Sequence, residues 1–413
     1  YGLFRDENES PRGRIALLKA VAENHLDISP SLVQHIDHCL SCRACESMCP
    51  SDVQYAQIIN LGKELMTTEH KLESKLVAQE SALEKMLVNK SWRKWIKASS
   101  ALTTSAGKIA GKLLGFQIVP KKIQPTLNRL AAIAAEVHRD QSLASVYPVK
   151  ESSACVALFT GCTGELFDQQ TLFDTIALLT ACRIEVHIPQ QQVCCGALAQ
   201  RHGNIQEQTR LAAQNIGAFG SAYSAVISSA NSCSAQLREY AQNSRLESAA
   251  RQAFSIKVLD SLTYIHSLLQ SRQPATQHKT ASTPEKQTPI VFSALAETIL
   301  VHIPCSLKNV LHEEAQLLGL LGQIPGLQLK LINQQYCCGA AGSYMLKYPD
   351  IADQLLELKI NDIIESGCRI MVSSNIGCSL HIKQRLQQLG YSMEIIHPVS
   401  LLLKQLKQTG LNS

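Results

Sequence analysis

No uninterrupted apolar run in this sequence reaches ~18 residues, the length a membrane-spanning helix needs. The opening stretch YGLFRDENESPRGR holds no apolar h-region, so it does not read as a secretion signal. Aromatic residues make up only 5% of the chain, and Trp92 and Trp95 are the only tryptophans. The net charge of +5 over 413 residues is too mild to argue for nucleic acid as a partner. There is no G-x-x-x-x-G-K-[ST] loop, no strand followed by G-x-G-x-x-G and no G-x-S-x-G elbow, so phosphate-loop, dinucleotide and serine-hydrolase sites find no support. Nothing supplies a flavin site or an evident acid–base pair.

Cysteine, by contrast, is abundant. The chain has 15, an odd number, and some stand as adjacent pairs. Disulfide-dense chains are usually small and secreted. In a chain of this size without a secretion signal, clustered thiols point to a reducing compartment and to metal binding or redox work. Apolar residues at 45% and charged residues at 18% allow two or three packed domains.

The sharpest pattern is CLSCRACESMCP at 39–50, where Cys39, Cys42, Cys45 and Cys49 stand at C-x2-C-x2-C-x3-C before Pro50. Bacterial-type ferredoxins hold a [4Fe–4S] cube on this spacing. Three thiolates on a tight loop wrap one cluster, and the proline turns the chain away. Structural zinc is the other reading, but zinc usually takes two C-x2-C pairs far apart. In two-cluster ferredoxins the fourth cysteine ligates the other cluster. Cys49 therefore either closes a single cluster or belongs to half of a pair. The chain begins at Tyr1, which favours half of a pair, with a first motif missing.

The remaining cysteines form a repeat. Cys162, Cys194, Cys195 and Cys233 are followed by Cys305, Cys337, Cys338 and Cys378. Cys162 to Cys194 spans 32 positions and so does Cys305 to Cys337, while the two Cys-Cys-Gly triplets lie 143 apart. Each repeated cysteine follows a short apolar run with strand character: ACVALF, RIEVHIP and SAVISS in the first repeat, a run ending in HIPC, LQLKLI and RIMVSSN in the second. Helical patterns alternate with these runs, which predicts two parallel α/β sheets. The carboxyl ends of such strands share one rim, where ligands bind. Cysteines distant in sequence converge there, and four soft thiolates per repeat suit an iron–sulfur centre better than a hard cation. Cys155, Cys182 and Cys368 have no counterpart in the other repeat and read as structural, as do His302 and His381.

This organisation predicts a ferredoxin-type domain at 1–70, with helices over 11–23 and 51–66 flanking its cysteines. A basic helical connector over 71–150, a first cysteine-rich domain at 151–270, a polar linker at 271–290 and a second cysteine-rich domain at 291–413 complete it. The segment from Lys85 to Ala135 carries ten Lys or Arg and no Asp or Glu. It is either a solvated helix face or a docking surface for an acidic partner or an anionic leaflet, with Lys90, Arg93 and Lys94 as its test residues.

The stretches CLSCRACESMCPSDVQY, CCGALAQRHGN, SSANSCSAQLREY, CCGAAGSYMLKYPDIADQLLELKINDIIESG and SSNIGC resemble the iron–sulfur subunit of bacterial glycolate oxidase (glycolate dehydrogenase). The wider group, with paired CCG cysteine-rich domains, includes the cysteine-rich subunit of heterodisulfide reductase. The resemblance implies a fold of class α+α/β, with an N-terminal helical ferredoxin-like [4Fe–4S] domain and two repeated α/β CCG domains. It implies two N-terminal [4Fe–4S] motifs, of which one is present. It implies FAD-containing glycolate oxidase subunits as partners, a quinone or membrane electron acceptor, and no nucleic acid. It also implies a non-catalytic electron-transfer role in the cytoplasm, peripheral on the inner face of the plasma membrane. In the heterodisulfide reductase pattern each repeat ends in C-x-x-C, and here Ala230 and Asn375 stand at the first of those positions. Each repeat thus has four cysteines rather than five, so a simpler cluster is expected at the repeats. A D-lactate or other 2-hydroxy-acid system, a thiol–disulfide enzyme and a zinc-bound scaffold are the competing readings.

Overall fold

The computed structural model describes residues 2–69, 89, 91, 93, 142–272, 290–332 and 336–407. Most of the basic connector, both tryptophans, Lys90, Lys94 and nearly all of the polar linker lie outside the described residues.

The N-terminal part is helical. Helix α1 (Pro11–Ala22) starts where Ser10 caps it, its hydroxyl accepting the Gly13 N–H at 2.9 Å with Pro11 in the first turn. Helix α2 (Pro30–Asp37) repeats the device with Ser29 and Pro30. A single turn, α3 (Ala44–Ser47), carries Cys45, and α4 (Tyr55–Glu69) follows. The sequence places that last helix from residue 51, but the chain delays it to Tyr55. Asp52 has φ of 48°, a left-handed conformation that interrupts helical winding. Leu18, Leu32, Ile36, Tyr55 and Ile59 form the small core that holds these helices together.

Beyond residue 142 two sheets appear in succession. The first contains β1 (Val146–Tyr147), β2 (Ala154–Phe159), β3 (Ile184–His187), β4 (Ala225–Ser228) and β5 (Val258–Asp260) in the order β1-β3-β2-β4-β5. Only β1 runs antiparallel, on the edge against β3. The second contains β6 (Thr298–His302), β7 (Gln328–Leu331), β8 (Ile370–Ser373) and β9 (Glu394–Ile396) in the order β7-β6-β8-β9, all parallel. The two parallel cores have one topology, as the equal cysteine spacings predict. The strands β5 and β9, three residues each, and the edge strand β1 carry too little pattern for the sequence to announce them.

The intervening helices in the first half are α5 (Cys162–Phe167), α6 (Gln169–Ala181), α7 (Ala197–Arg201), α8 (Ile205–Phe219), α9 (Asn231–Arg238), α10 (Ser248–Ser255) and α11 (Ser261–Ser271). In the second half they are α12 (Glu314–Leu321), α13 (Tyr344–Lys347), α14 (Pro349–Glu365), α15 (Ile376–Gln388) and α16 (Pro398–Gln405), with a π-helical turn at Leu307–Leu311.

Alternation along the strands sorts the side chains between two layers. Val156 and Leu158 of β2 and Ile299 and Val301 of β6 enter one core shared by both sheets. Ala157 and Phe159 face the opposite way, into a core confined to the first half, and Leu300 does the same in the second. Strands buried on both faces read as unbroken apolar runs, which is why these segments stand out in the sequence.

Candidate functional site

Each sheet delivers its cysteines to the carboxyl rim of its strands. Cys162 opens α5 just past β2, Cys194 and Cys195 follow β3, and Cys233 sits in the first turn of α9 past β4. Cys305 follows β6, Cys337 and Cys338 follow β7, and Cys378 lies in the first turn of α15 past β8. Gly196 and Gly339, after each Cys-Cys pair, have φ of 86° and 81°, the left-handed turn that bends the chain back over the rim.

The thiols meet in pairs. Sγ of Cys162 lies 3.7 Å from that of Cys194, and Cys195 donates to Cys233 at 3.6 Å. In the second half Cys305 and Cys337 are 4.0 Å apart and Cys338 donates to Cys378 at 3.0 Å. All eight line a single cavity of about 350 Å³ between the two sheets. The N-terminal part closes it with Leu40 of the cysteine loop and Tyr55 and Ile59 of α4. One cavity therefore receives both repeats.

The two sets differ electrostatically. Hydrogen bonds from Cys305 and Cys338 hold the Cys337 thiol well below the ordinary range, while Cys305 and Cys338 are pushed up by sharing those same bonds and by burial. In the first set Cys162, through its bond with Cys194, and Cys195 are both raised. Lys359 of α14 is buried at 2% exposure, and the charges of Cys338, Cys337, Cys378 and Cys305 act on it against the downward pull of burial. His302 and His381 are the structural histidines the sequence suggests. His302 Nδ1 bonds Ser373 Oγ at 3.0 Å, and burial lowers its imidazole to about 3. His381 Nδ1 lies 2.9 Å from the Cys338 carbonyl oxygen.

The N-terminal motif docks across both halves. Arg201 of α7 and Asn309 of the π turn donate to the Cys39 and Cys42 carbonyls at 3.1 and 2.9 Å. Asp37 pairs with Lys347 at 2.8 Å and accepts from the Tyr348 hydroxyl at 2.6 Å. Glu64 pairs with Arg245 at 2.6 Å. Cys39 receives the Ser41 N–H at 3.5 Å and the Tyr55 hydroxyl at 3.7 Å. Burial works to raise its thiol, but the positive charges of Lys63 and Arg14 outweigh it and the thiol is lowered. Burial, then the charge of Cys337, pushes Cys42 up to about 12, and burial with the charge of Cys39 takes Cys45 to about 11. Cys42 also shares a small void with Cys305, Cys337, Cys338 and Cys378. Cys49 is half-buried after α3, its N–H bonded to the Glu46 carbonyl at 3.1 Å.

This donor set fits iron–sulfur clusters. Each group is soft thiol with no carboxylate among it, buried or half-buried, and several sulfurs receive backbone N–H groups, from Ser41, Gly196 and Gly339 among others. Ala230 and Asn375, which stand where the five-cysteine pattern has a thiol, are the N-cap residues of α9 and α15, and the Asn375 side chain accepts the Gly377 N–H at 3.1 Å. Cys182 and Cys368 are buried among core side chains, and Cys155 is half-buried.

Arg93 corrects an expectation. The sequence offers it as part of a basic docking face, but it is buried at 3% exposure and pairs with Glu165 at 3.1 Å. Its charge acts on Cys162, so it serves the interior of the site. The sequence does not single out Lys63, Arg201 or Lys359. Lys63 and Lys359 are cations buried beside thiols, and Arg201 is buried against the Cys39 carbonyl, placements no local pattern records.

Residues 156–238 and 299–383 match the CCG cysteine-rich domain family. The chain is 28% identical over 414 residues to the probable glycolate oxidase iron-sulfur subunit of Bacillus subtilis (strain 168), covering 96% of this chain and 88% of that one. It is 26% identical over 389 residues to the glycolate oxidase iron-sulfur subunit of Escherichia coli (strain K12), covering 92% and 86%. Lactate utilization protein A of Halalkalibacterium halodurans is 28% identical over 254 residues, which are 60% of this chain and 97% of that protein.

Proposed function

We propose that this chain is the iron–sulfur electron-transfer subunit of a flavin-dependent 2-hydroxy-acid oxidoreductase of the glycolate oxidase type. The observation that carries the reading is the meeting of three thiol sets. The N-terminal motif is clamped over the rim that both repeats share, and Cys42 lies against the second set.

In this reading Cys39, Cys42 and Cys45 hold a [4Fe–4S] cluster, with Cys49 either closing it or serving a second cluster outside this sequence. Cys162, Cys194, Cys195 and Cys233 hold a further centre, and Cys305, Cys337, Cys338 and Cys378 another. Such clusters accept and release single electrons, which lets a two-electron flavin oxidation feed one-electron carriers. The chain's own residues bind and insulate them. The largely apolar cavity wall lowers the polarity around the sulfurs, and backbone N–H groups to sulfur tune the potential. Lys63 and Lys359 place positive charge beside the thiolates. The ferredoxin-type domain, the connector and the two CCG domains are then one relay, and substrate chemistry lies in FAD-containing partner subunits. No helix among the described residues is long and apolar enough to cross a membrane. Electrons reach the quinone pool, in this reading, by docking at the inner face of the plasma membrane. The similarity to lactate utilization protein A favours lactate as the second substrate reading.

The test is iron and acid-labile sulfide per chain after anaerobic purification. Roughly eight to twelve of each supports filled repeats together with the N-terminal motif, in cube stoichiometry. About four confines the centre to the N-terminal motif and removes the repeats from the relay. Near zero, with zinc in its place, overturns the reading.

A further inference from the structure

A second group of ligating side chains meets on the first sheet, toward the opposite end of β2 from the sulfur rim. Cys155 Sγ, a carboxylate oxygen of Glu185 and a ring nitrogen of His187 all lie within 4.8 Å of one another. Cys155 and Glu185 are register partners across β2 and β3, and His187 stands two residues beyond Glu185, on the same face. His187 Nε2 is 2.6 Å from Glu185 Oε1. The imidazole is steadied edge-on against the Tyr223 ring, with centroids 5.5 Å apart. The Ser224 N–H and hydroxyl donate to the Cys155 carbonyl at 3.0 and 2.8 Å and fix the strand beneath the thiol.

The duplicated half supplies an internal comparison. At the 143-residue offset the counterparts of Cys155, Glu185 and His187 are Thr298, Gln328 and Lys330. Thr298 and Gln328 are register partners just as Cys155 and Glu185 are. The same sheet position is thus built without a thiol, a carboxylate or an imidazole. The sheet does not demand the trio, and its second copy puts a fixed positive charge where a ligand stands in the first.

The geometry points to a divalent-cation site of the zinc class formed by Cys155, Glu185 and His187, with water completing the coordination. Zinc takes sulfur, imidazole nitrogen and carboxylate oxygen at about 2.0–2.3 Å, so its donors stand roughly 3.3–3.7 Å apart. A group already within 4.8 Å closes on one ion with small side-chain rotations, the Glu185–His187 contact opening by about 1 Å. The mixed donor set excludes calcium and magnesium, which take oxygen. Half-burial of all three residues leaves the fourth position open to water. The site uses none of the cysteines assigned to clusters and stands independently of that assignment.

The experiment is zinc titration of the full-length chain, purified anaerobically with its iron in place. Bound zinc is counted by mass spectrometry and its shell is read at the zinc absorption edge, where iron does not interfere. The expected result is a single zinc with one sulfur and otherwise nitrogen and oxygen neighbours. The variant Cys155→Thr/Glu185→Gln/His187→Lys copies the residues of the other repeat into this one. It is expected to lose the zinc while iron per chain stays unchanged. Glu185→Gln alone keeps a hydrogen-bonding side chain at that position and should weaken zinc by tenfold or more, should the triple variant fail to fold. The proposal is overturned if the wild-type chain retains no zinc, if zinc survives both variants, or if the shell is sulfur only. The last outcome would place the metal at the cluster cysteines.

Discussion

The Asn309 side chain donates a 2.9 Å hydrogen bond to the main-chain carbonyl of Cys42, a residue 267 positions earlier. It is a direct bond between the second sheet's rim and the N-terminal cysteine loop, beside the void that Cys42 shares with Cys305, Cys337, Cys338 and Cys378. Arg201 makes the matching contact from the first sheet, to the Cys39 carbonyl.

Asn309→Ala is expected to loosen this junction without unfolding the chain. The lost bond is worth about 1 kcal/mol. Iron content should stay at the wild-type level. Magnetic coupling between the N-terminal and second-repeat centres, read by electron paramagnetic resonance of the reduced protein, should weaken. Unchanged coupling would show that the two loops are held together without Asn309.

Lys359→Met removes a positive charge buried beside four thiols. A cation near a cluster favours the reduced state, so the second-repeat centre should become harder to reduce. A shift of about 60 mV to lower potential corresponds to a tenfold change for one electron. A redox titration followed spectroscopically decides it, and a potential that stays put or rises contradicts the role given to Lys359.

The two Cys-Cys-Gly turns should differ in their tolerance of a side chain. At Gly339 an added Cβ would stand 2.6 Å from the carbonyl oxygen of Ala352 in α14, and the φ of 81° already disfavours one. At Gly196 the nearest atom is the Gln208 Cγ at 3.3 Å, a side-chain contact that needs to give by only a few tenths of an ångström. Gly339→Ala should cost roughly 2–5 kcal/mol and Gly196→Ala roughly 1–2 kcal/mol. Chemical denaturation of both variants, with iron retention as a second readout, ranks them. Equal losses would mean that the backbone of α14 yields easily.

Glu9 sets an acid limit on the N-terminal domain. It is 3% exposed and accepts from Arg14, while His35 and His38 reach it at 2.7 and 2.9 Å. Burial works to raise its carboxyl, but the bonds from His38 and His35 and the Arg14 charge bring it down to about 2 from 4.5. A folded value below the unfolded one stabilises fully above pH 4.5, and that contribution is lost as the pH falls through about 2. Its size is about 3 kcal/mol. Glu9→Gln should therefore lower the melting temperature of the iron-free chain at pH 7, and the gap from wild type should narrow below pH 4. A gap independent of pH would assign the loss to packing instead.

Much of this was readable from residues alone. The duplicated sheet followed from Cys162–Cys194 and Cys305–Cys337 at equal spacing, and from strands apolar on both faces. The convergence of the eight repeated cysteines followed from the shared rim of parallel strands. What escaped depends on contacts between distant segments. The seat of the N-terminal motif rests on Arg201, Asn309 and Lys347, ordinary surface types until the fold brings them together. Arg93 reads as one more cation in a basic run, and only burial against Glu165 distinguishes it. Cys155 had no counterpart in the other repeat and so read as structural. Glu185 and His187 become its neighbours only through strand register.

The two repeats interlock through Asn231, whose side chain accepts from the Ser374 hydroxyl and whose N–H reaches the Ser374 carbonyl at 3.4 Å. Because the halves share one chain, they are free to differ. Two identical subunits would offer identical seats, and anything that bound one would bind the other. Here only the second half presents Asn309 and Lys347, so the N-terminal arm sits one way around. Covalent fusion gives the assembly a polarity: the N-terminal arm meets Asn309 and Lys347 in one half, and the unlike pair Arg201 and Arg245 in the other.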